Sequence, residues 1–298
     1  MKRRTALSVI LAMILLTGCG QAANSFGTVA NKPDTVGVAQ STALQPVLAS
    51  SEVVVGPNRL ALGILENNVP IPDAPQTRVH VRYYKLAGSQ ATMTGEEDAQ
   101  FYGENLGERG TYIIHPTFDA AGQWGLEVEM TRPGKQPTTQ RISIDVTAKG
   151  NAPMIGASAP RSQTPTVKDV KDLKTITSAT KPDPRLYQLS VAQALADGKP
   201  SLILFATPGF CQTAICGPGV DVLSRLEDTF GKDVNAVHVE VYQYPFEQGK
   251  FVSAMREWNL QTEPWLFLVD RQGKVVSRYE GGITYQELEP AVKQLIQP

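Results

Sequence analysis

Two of the three cysteines of the 298-residue chain lie in one short stretch, Phe205-Ala206-Thr207-Pro208-Gly209-Phe210-Cys211-Gln212-Thr213-Ala214-Ile215-Cys216-Gly217-Pro218. The continuous apolar run Ser201–Ala206 that leads into it is typical of a buried strand. Four apolar residues after it recur at helical spacing, namely Val220, Leu223, Leu226 and Phe230. The sequence therefore predicts a cysteine loop between a strand and a helix. The free N–H groups at the start of a helix favour a thiolate over a thiol.

Around this cysteine loop the sequence alternates between helical and extended patterns. The predicted elements are a helix at Val191–Ala196, a strand at Val234–Tyr242, a helix at Phe251–Trp258, a strand at Trp265–Asp270, a strand at Lys274–Tyr279 and a helix at Leu288–Ile296. With the strand before the cysteines and the helix after them, the order is β-α-β-α-β-β-α after an initial helix. This order predicts an α/β domain in which helices cover both faces of a mixed sheet.

The C-terminal region, residues 185–298, resembles the thioredoxin-like superfamily. The resemblance is carried by the strand–cysteine loop–helix unit and by Thr262-Glu263-Pro264-Trp265, which directly precedes a predicted strand. It implies that Pro264 is cis and lies beside the cysteines. It also implies that the backbone of Glu263 is presented to a bound thiol or peptide.

The same resemblance implies thiol–disulfide exchange, in which Cys211 attacks, Cys216 resolves, and Phe210 and Trp265 flank the substrate. The chain departs from the family motif Cys-x-x-Cys because four residues separate its two cysteines. One alignment makes Cys211 the nucleophile, because its distance from the preceding strand matches the family. In the other, Cys216-Gly217-Pro218-Gly219 matches the motif, and Gly219 stands where the second cysteine would be.

Two other interpretations of the cysteine pair remain open. A disulfide could serve only as a structural staple, although closing so short a loop stabilises a fold by only about 2 kcal/mol on the chain-entropy model. The protein would then be a non-catalytic surface binding module. Alternatively, Cys211 and Cys216 with His238, the one histidine of this region, could bind copper in a copper-delivery protein of thioredoxin-like fold. Apart from this weak alternative, we expect neither a metal nor a cofactor.

The N-terminus has the pattern of an export signal. Lys2-Arg3-Arg4 precedes the apolar run Ala6–Leu16, which is too short for a transmembrane helix. The following Leu16-Thr17-Gly18-Cys19 resembles a bacterial lipobox, which implies a signal peptide over residues 1–18 and lipidation, including palmitate, at Cys19. The alternative is an ordinary signal peptide with an incidental cysteine. In either case the rest of the chain would lie outside the cytoplasm, where disulfides persist.

The amino-acid composition changes along the sequence between the export signal and residue 185, and it divides this part of the chain into three segments. Residues 19–51 are predicted to be a flexible tether, and the Pro-, Ser- and Thr-rich residues 148–184 a linker. Between them, residues 52–147 contain short alternating runs separated by turn residues, a pattern typical of an all-β sandwich. Within this region, Gly122–Val128 resembles the Gly-x-Trp strand of small immunoglobulin-like modules of bacterial exported proteins, such as the YtkA-like group. Trp124 is interpreted as a core residue.

Charge excludes one class of partner. The chain has 28 basic and 29 acidic residues without a basic stripe, which argues against nucleic-acid binding. The sequence thus predicts a lipid-anchored protein on the extracytoplasmic face of the bacterial cell membrane, with an immunoglobulin-like sandwich followed by a thioredoxin-like domain. The predicted function is thiol–disulfide exchange, and the predicted partners are thiols or disulfides of exported proteins.

Overall fold

A computed structural model describes residues 27–28, 44–104, 106, 110–211 and 215–297. The predicted signal peptide, residues 1–18, and the predicted lipidation site, Cys19, lie outside the described residues. Within the described part of the chain, no helix has both the length and the apolar character needed to cross a membrane.

The N-terminal region is built from β-strands. They are β1 (Gly27–Thr28), β2 (Gln45–Leu48), β3 (Gly56–Pro57), β4 (Leu60–Glu66), β5 (Val69–Pro70), β6 (Arg78–Ala87), β7 (Gln90–Asp98), β8 (Gln100–Tyr102), β9 (Thr111–Ile114), β10 (Thr117–Phe118), β11 (Gly122–Thr131) and β12 (Thr138–Val146). One sheet has the order β1-β12-β11-β6-β7. A second has the order β2-β4-β9-β8, with β5 paired to β4, and β3 pairs with β10. A 3-10 turn at Ala74–Gln76 precedes β6.

These two larger sheets share one apolar core because their strands alternate between inward and outward side chains. In β6, Val79 and Val81 are buried in this core, as are Leu60 and Leu62 of β4 in the other sheet. Trp124 lies in the same core, so its interpretation as a core residue is confirmed. Its ring packs edge-on against Phe118 at 4.8 Å, and its indole N–H donates to the Ala120 carbonyl at 3.0 Å.

The C-terminal region has the predicted order of elements. They are α1 (Val191–Ala194), β13 (Ser201–Ala206), α2 (Cys216–Phe230), β14 (Asn235–Glu240), α3 (Ser253–Glu257), β15 (Trp265–Val269), β16 (Val275–Glu280) and α4 (Tyr285–Leu295). The sheet order is β14-β13-β15-β16, with β13 parallel to β14 and the other pairs antiparallel. Further 3-10 turns lie at Leu173–Thr175 and Pro184–Tyr187.

The two faces of this sheet support separate apolar clusters. Leu202 and Leu204 of β13 pack on the face covered by α2 and α4. Ile203 and Phe205 pack on the opposite face, with α1 and α3. Because the side chains of β13 alternate between two covered faces, the sheet is a central layer between helices. The loop between β13 and α2 follows directly from the end of β13 at Ala206 and leads to the start of α2 at Cys216.

The boundaries of the two predicted connecting segments need correction. Residues 45–48 of the predicted tether form β2, which pairs with β4. Much of the predicted linker 148–184 packs against the C-terminal domain, where Ala152 and Ala159 are buried and Ser162 accepts the Ala192 N–H at 2.9 Å. A Pro-rich segment cannot form its own core, but it can lie along an existing one when its backbone groups find partners there.

The N-terminal strands contact the C-terminal domain through buried charged groups. Arg59 donates from Nη2 to the Glu287 carboxylate at 2.8 Å, and both side chains are over nine-tenths buried. It also donates to the backbone carbonyls of Glu280 and Gly282, each at 2.7 Å. Because breaking a buried ion pair leaves an uncompensated charge, loss of either partner would destabilise this contact between the two regions.

Candidate functional site

Cys211 and Cys216 form a disulfide, and their Cα atoms are 6.0 Å apart. Cys211 lies in the loop after β13 and is partly exposed, whereas Cys216 is the first residue of α2 and is fully buried. A thiolate formed at Cys216 would therefore face the N-terminus of a 15-residue helix, which stabilises negative charge. The accessible sulfur is that of Cys211.

Glu263 and Pro264 lie beside this disulfide. The Glu263–Pro264 peptide bond is cis, as the resemblance implied. Oε2 of Glu263 is 3.4 Å from the sulfur of Cys216 and accepts the Thr207 N–H at 2.8 Å. The resemblance implied a role for the backbone of Glu263, and in this structure its side chain also reaches the sulfur of Cys216.

The environment of Glu263 changes the acidity of its carboxyl group. Burial raises the pKa of Glu263 to about 7, the Thr207 N–H opposes this rise, and the nearby negative charge of Glu240 adds to it. A carboxyl group with this pKa can accept or donate a proton near neutral pH. Once the disulfide is reduced, the thiol of Cys216 is within reach to donate its proton to this carboxylate.

A second carboxylate, that of Glu240, holds the cysteine loop through hydrogen bonds to Ser178. It is buried at the end of β14, and its Oε2 accepts both the backbone N–H and the hydroxyl of Ser178 at 2.7 Å. The same hydroxyl accepts the Gly209 N–H at 2.9 Å. A Cβ at Gly209 would lie 3.0 Å from Ser178 atoms, so glycine permits this close approach.

Sequence reasoning missed both Ser178 and Glu240. Ser178 was assigned to a linker by composition, and its partners Gly209 and Glu240 are 31 and 62 positions away in the chain. One signal for Glu240 was available, because a lone acid ends the alternating strand β14, next to the end of the parallel strand β13. Parallel strands bring their C-terminal ends to one edge of a sheet, where site residues collect.

His238 does not lie with the sulfurs. It is buried, its Nε2 donates to the Ala206 carbonyl at 3.0 Å, and its Nδ1 accepts the hydroxyl of Tyr187 at 2.6 Å. Burial lowers the pKa of His238, which keeps it neutral. Both ring nitrogens are therefore used inside the domain, and the copper alternative through His238 has no support in this geometry.

Within the described residues, the group beside the two sulfurs is the carboxylate of Glu263, and not the His238 ring that the copper alternative requires. A carboxylate oxygen of Glu263 and the two sulfurs lie within 4.8 Å of one another. The two sulfurs are bonded to each other, so this group is a disulfide with a carboxylate beside it.

The two predicted flanking aromatic residues have different positions. Phe210 is 39% exposed beside Cys211 and faces the ring of Phe246 at 6.0 Å. Trp265 is buried on the opposite face of the sheet, stacked on Phe267 at 5.6 Å. The predicted substrate contact of Trp265 has no support in this geometry, because residues of β15 alternate between faces and this one points away from Cys216.

Comparisons with known proteins concern mainly the C-terminal region. Residues 187–296 match the family described as Thioredoxin-like domain. No curated protein matches the chain.

Solved structures give further matches of low identity. The chain is similar to a thiol:disulfide interchange protein of the thioredoxin family from Chlorobium tepidum, at 15% identity over 50% of this chain and 100% of that one, with a TM-score of 0.33. It is also similar to the exposed lipoprotein thioredoxin of Streptococcus pneumoniae, at 17% identity over 34% and 90%, with a TM-score of 0.27. A thioredoxin-like protein solved in its oxidised form matches at 18% identity over 33% and 78%, with a TM-score of 0.27. From the family match and the site geometry, the chain carries a C-terminal thioredoxin-like domain with a Cys-x4-Cys disulfide.

Proposed function

We propose that this chain is a thiol–disulfide oxidoreductase of the bacterial cell envelope that acts on exported proteins. The observation that carries the proposal is the asymmetry of the disulfide. A partly exposed Cys211 is joined to a buried Cys216, which sits at a helix N-terminus against a carboxyl group. An incoming thiolate can approach the first sulfur, and the second can leave as a stabilised thiolate.

The proposed exchange takes place in two substitution steps at sulfur. A substrate thiolate attacks the sulfur of Cys211, the Cys211–Cys216 bond breaks, and a mixed disulfide forms between substrate and Cys211. The departing Cys216 thiolate takes the proton of Glu263. A second substrate thiolate then attacks the mixed disulfide and releases Cys211 as a thiolate, so the substrate dithiol becomes a disulfide and the protein disulfide becomes a dithiol. The reverse reaction uses the same steps, with the Glu263 carboxylate accepting the proton of Cys216 as that sulfur attacks.

The location of this activity is part of the proposal. The charged start, the short apolar run and Leu16-Thr17-Gly18-Cys19 support export and lipidation at Cys19 on the outer face of the membrane. In cells grown with labelled palmitate, we expect label in the wild-type protein and none in Cys19→Ser. Label in both proteins would show that Cys19 is not the site of lipidation, and the proposed anchor at Cys19 would be wrong. We also propose that the sheet-rich N-terminal region is an immunoglobulin-like module, supported by its two sheets around one core.

The exchange is tested by trapping its intermediate. Oxidised wild-type protein is mixed with a reduced cysteine peptide, and the products are followed by mass spectrometry after acid quenching. We expect Cys216→Ser to accumulate a mixed disulfide with a disulfide form of the peptide, whereas Cys211→Ser accumulates much less because its remaining sulfur is buried. Wild-type protein that stays oxidised and unreactive would instead support the inert structural disulfide of a binding module.

A further inference from the structure

Contacts from the N-terminal region reach the short segment of chain that carries Glu263. This segment, Thr262-Glu263-Pro264, directly precedes β15, and we call it the proline segment. The side chain of Glu263 points toward the disulfide, where its Oε2 is 3.4 Å from the sulfur of Cys216. The residues on either side of Glu263 instead contact groups that the N-terminal region binds.

Thr262 is held through the buried carboxylate of Glu280. The Thr262 hydroxyl donates to Oε1 of Glu280 at 2.7 Å and accepts the indole N–H of Trp265 at 3.0 Å. In the N-terminal region, the hydroxyl of Ser51 donates to the same oxygen of Glu280 and lies 3.2 Å from the Thr262 hydroxyl. The backbone N–H of Ser51 donates to the other carboxylate oxygen at 2.7 Å. The position of Thr262 therefore depends on a carboxylate that the N-terminal region also binds.

Pro264 is held through the chain that follows β16. Its carbonyl accepts the N–H of Gly281 at 3.0 Å. The carbonyls on both sides of Gly281, those of Glu280 and Gly282, accept N–H groups of Arg59 at 2.7 Å each. Arg59 belongs to the N-terminal region, and its side chain is over nine-tenths buried. The N-terminal region therefore also fixes the backbone that binds Pro264.

The exact position of Glu263 matters because proton transfer takes place over one hydrogen-bond distance. A displacement of about 1 Å can lower the rate of such a step about 100-fold. One oxygen of the Glu263 carboxyl group is held directly, since it accepts the Thr207 N–H at 2.8 Å. The backbone of Glu263 is held through Thr262 and Pro264. Contacts from the N-terminal region therefore bear on the distance between this carboxyl group and the sulfur of Cys216.

We propose that the N-terminal region, acting through Ser51 and Thr262, positions Glu263 for proton exchange with Cys216. This inference rests on the proposed function and adds to it a contribution from outside the thioredoxin-like domain. In the step concerned, the Cys216 thiol gives its proton to the Glu263 carboxylate and its sulfur bonds to Cys211. The bond between Cys211 and the substrate breaks, and the substrate leaves as a thiolate. Ser51 and Thr262 are positioning residues, because they act through Glu263.

The test measures how fast Cys216 releases a fluorescent peptide thiol from its mixed disulfide with Cys211, by stopped flow in the full-length protein. Thr262→Val removes the hydroxyl and keeps the branched shape of the side chain. We expect this variant to lower the release rate about tenfold at pH 8, where the Glu263 carboxyl group is ionised, because the carboxylate moves away from the sulfur. Thr262→Ser keeps the hydroxyl and should restore most of the rate.

A second substitution, Glu263→Gln, separates positioning from a general loss of structure. In that background the carboxylate is absent, so Thr262→Val should cause no further loss of rate. Ser51→Ala removes the hydroxyl on the side of the N-terminal region, and it should lower the rate about threefold only when Glu263 is present. The matched control is Thr229→Val in α2, which removes a hydroxyl that donates to the Arg225 carbonyl at 3.0 Å and should leave the rate unchanged in both backgrounds.

The outcomes distinguish this inference from the proposed function. Release at the wild-type rate in both Thr262→Val and Ser51→Ala would overturn the positioning role, and so would equal slowing with and without the Glu263 carboxylate. In either case the exchange reaction itself would stand. If Thr262→Val does not fold, Ser51→Ala in the two backgrounds decides alone. If Cys216 releases no peptide in the wild-type protein, the proposed function is wrong.

Discussion

Two carboxyl groups in this molecule are held in very different ways. Glu280, where the N-terminal region meets the C-terminal domain, accepts the backbone N–H groups of Ser51 and Glu52 and the hydroxyls of Ser51 and Thr262. Burial raises the pKa of both carboxyl groups.

Glu263, beside the disulfide, accepts one backbone N–H and otherwise faces the sulfur of Cys216. The comparison shows how a structural carboxylate differs from one with a role in chemistry. Four donors bind the first group, whereas the second is half-buried with a single backbone donor and can exchange a proton with the sulfur.

The largest expected effect is at the contact between the two regions. Arg59→Met removes the partner of Glu287 and two donors to backbone carbonyls, so the free energy of unfolding should fall by about 3–5 kcal/mol. Urea unfolding followed by circular dichroism measures this loss. The control is Arg78→Met, whose ion pair with Asp98 is more than half exposed and should matter much less. Similar losses in the two variants would show that the contact does not hold the regions together.

The next effect concerns proton transfer at Glu263. In a wild-type mixed disulfide, the rate at which Cys216 releases the substrate should rise with pH through about 7, as the Glu263 carboxyl group ionises and becomes able to accept the thiol proton. Glu263→Gln should lower this rate about 100-fold at pH 7. In that variant the rate should no longer follow the ionisation of Glu263, and any remaining rise with pH should follow the ionisation of the Cys216 thiol itself.

Stopped-flow release of a fluorescent peptide thiol measures both profiles. The control is Glu240→Gln. Burial is the main cause of the raised pKa of Glu263 and the charge of Glu240 adds to it, so this variant should move the midpoint of the pH profile to lower pH while the rise with pH remains. An unchanged profile in Glu263→Gln would show that its carboxyl group takes no part.

Stability should respond in opposite directions at the two carboxyl groups. A raised folded pKa means that the contribution of Glu263 to stability is complete below its unfolded pKa of about 4.5 and declines as the pH rises through about 7. At pH 8, Glu263→Gln should therefore stabilise the fold by about 1–3 kcal/mol. Glu280→Gln should destabilise it by about 1–3 kcal/mol, because an amide group cannot accept from four donors. The urea unfolding midpoints of both variants, measured at pH 5 and pH 8, test this. If the two substitutions change stability in the same direction at pH 8, the contrast between the two carboxyl groups is wrong.

The smallest expected effect is at Ser178. Ser178→Ala removes the hydroxyl that donates to Glu240 and accepts from Gly209, so the free energy of unfolding should fall by about 1–2 kcal/mol. Ser158→Ala, in the same segment, is the control, since its hydroxyl only accepts from Lys274 at an exposed site. Unfolding midpoints that coincide for the two variants would mean that Ser178 does not hold the cysteine loop.

The sequence predicted those parts of the molecule that depend on local pattern. Alternation in β14 correctly placed Val237 and Val239 on one face and His238 on the other, and apolar spacing predicted α2. The thioredoxin-like resemblance added the cis bond before Pro264.

What the sequence did not show depends on contacts between distant residues. Composition could not reveal that Ser178 holds the cysteine loop, because its hydroxyl interacts with Glu240 and Gly209 far along the chain. Nor could it separate Glu263 from Trp265, two residues apart, since only the fold decides which of them meets the sulfur.

The most direct test of the central claim is the reduction potential of the Cys211–Cys216 disulfide. It can be measured by equilibrating the protein with glutathione buffers and counting free thiols after alkylation. If the pair is a redox couple, it should be reduced reversibly at a potential above about −300 mV, within reach of cellular thiols. A disulfide that stays oxidised to potentials below about −300 mV would be a structural staple, and the proposed exchange would be wrong.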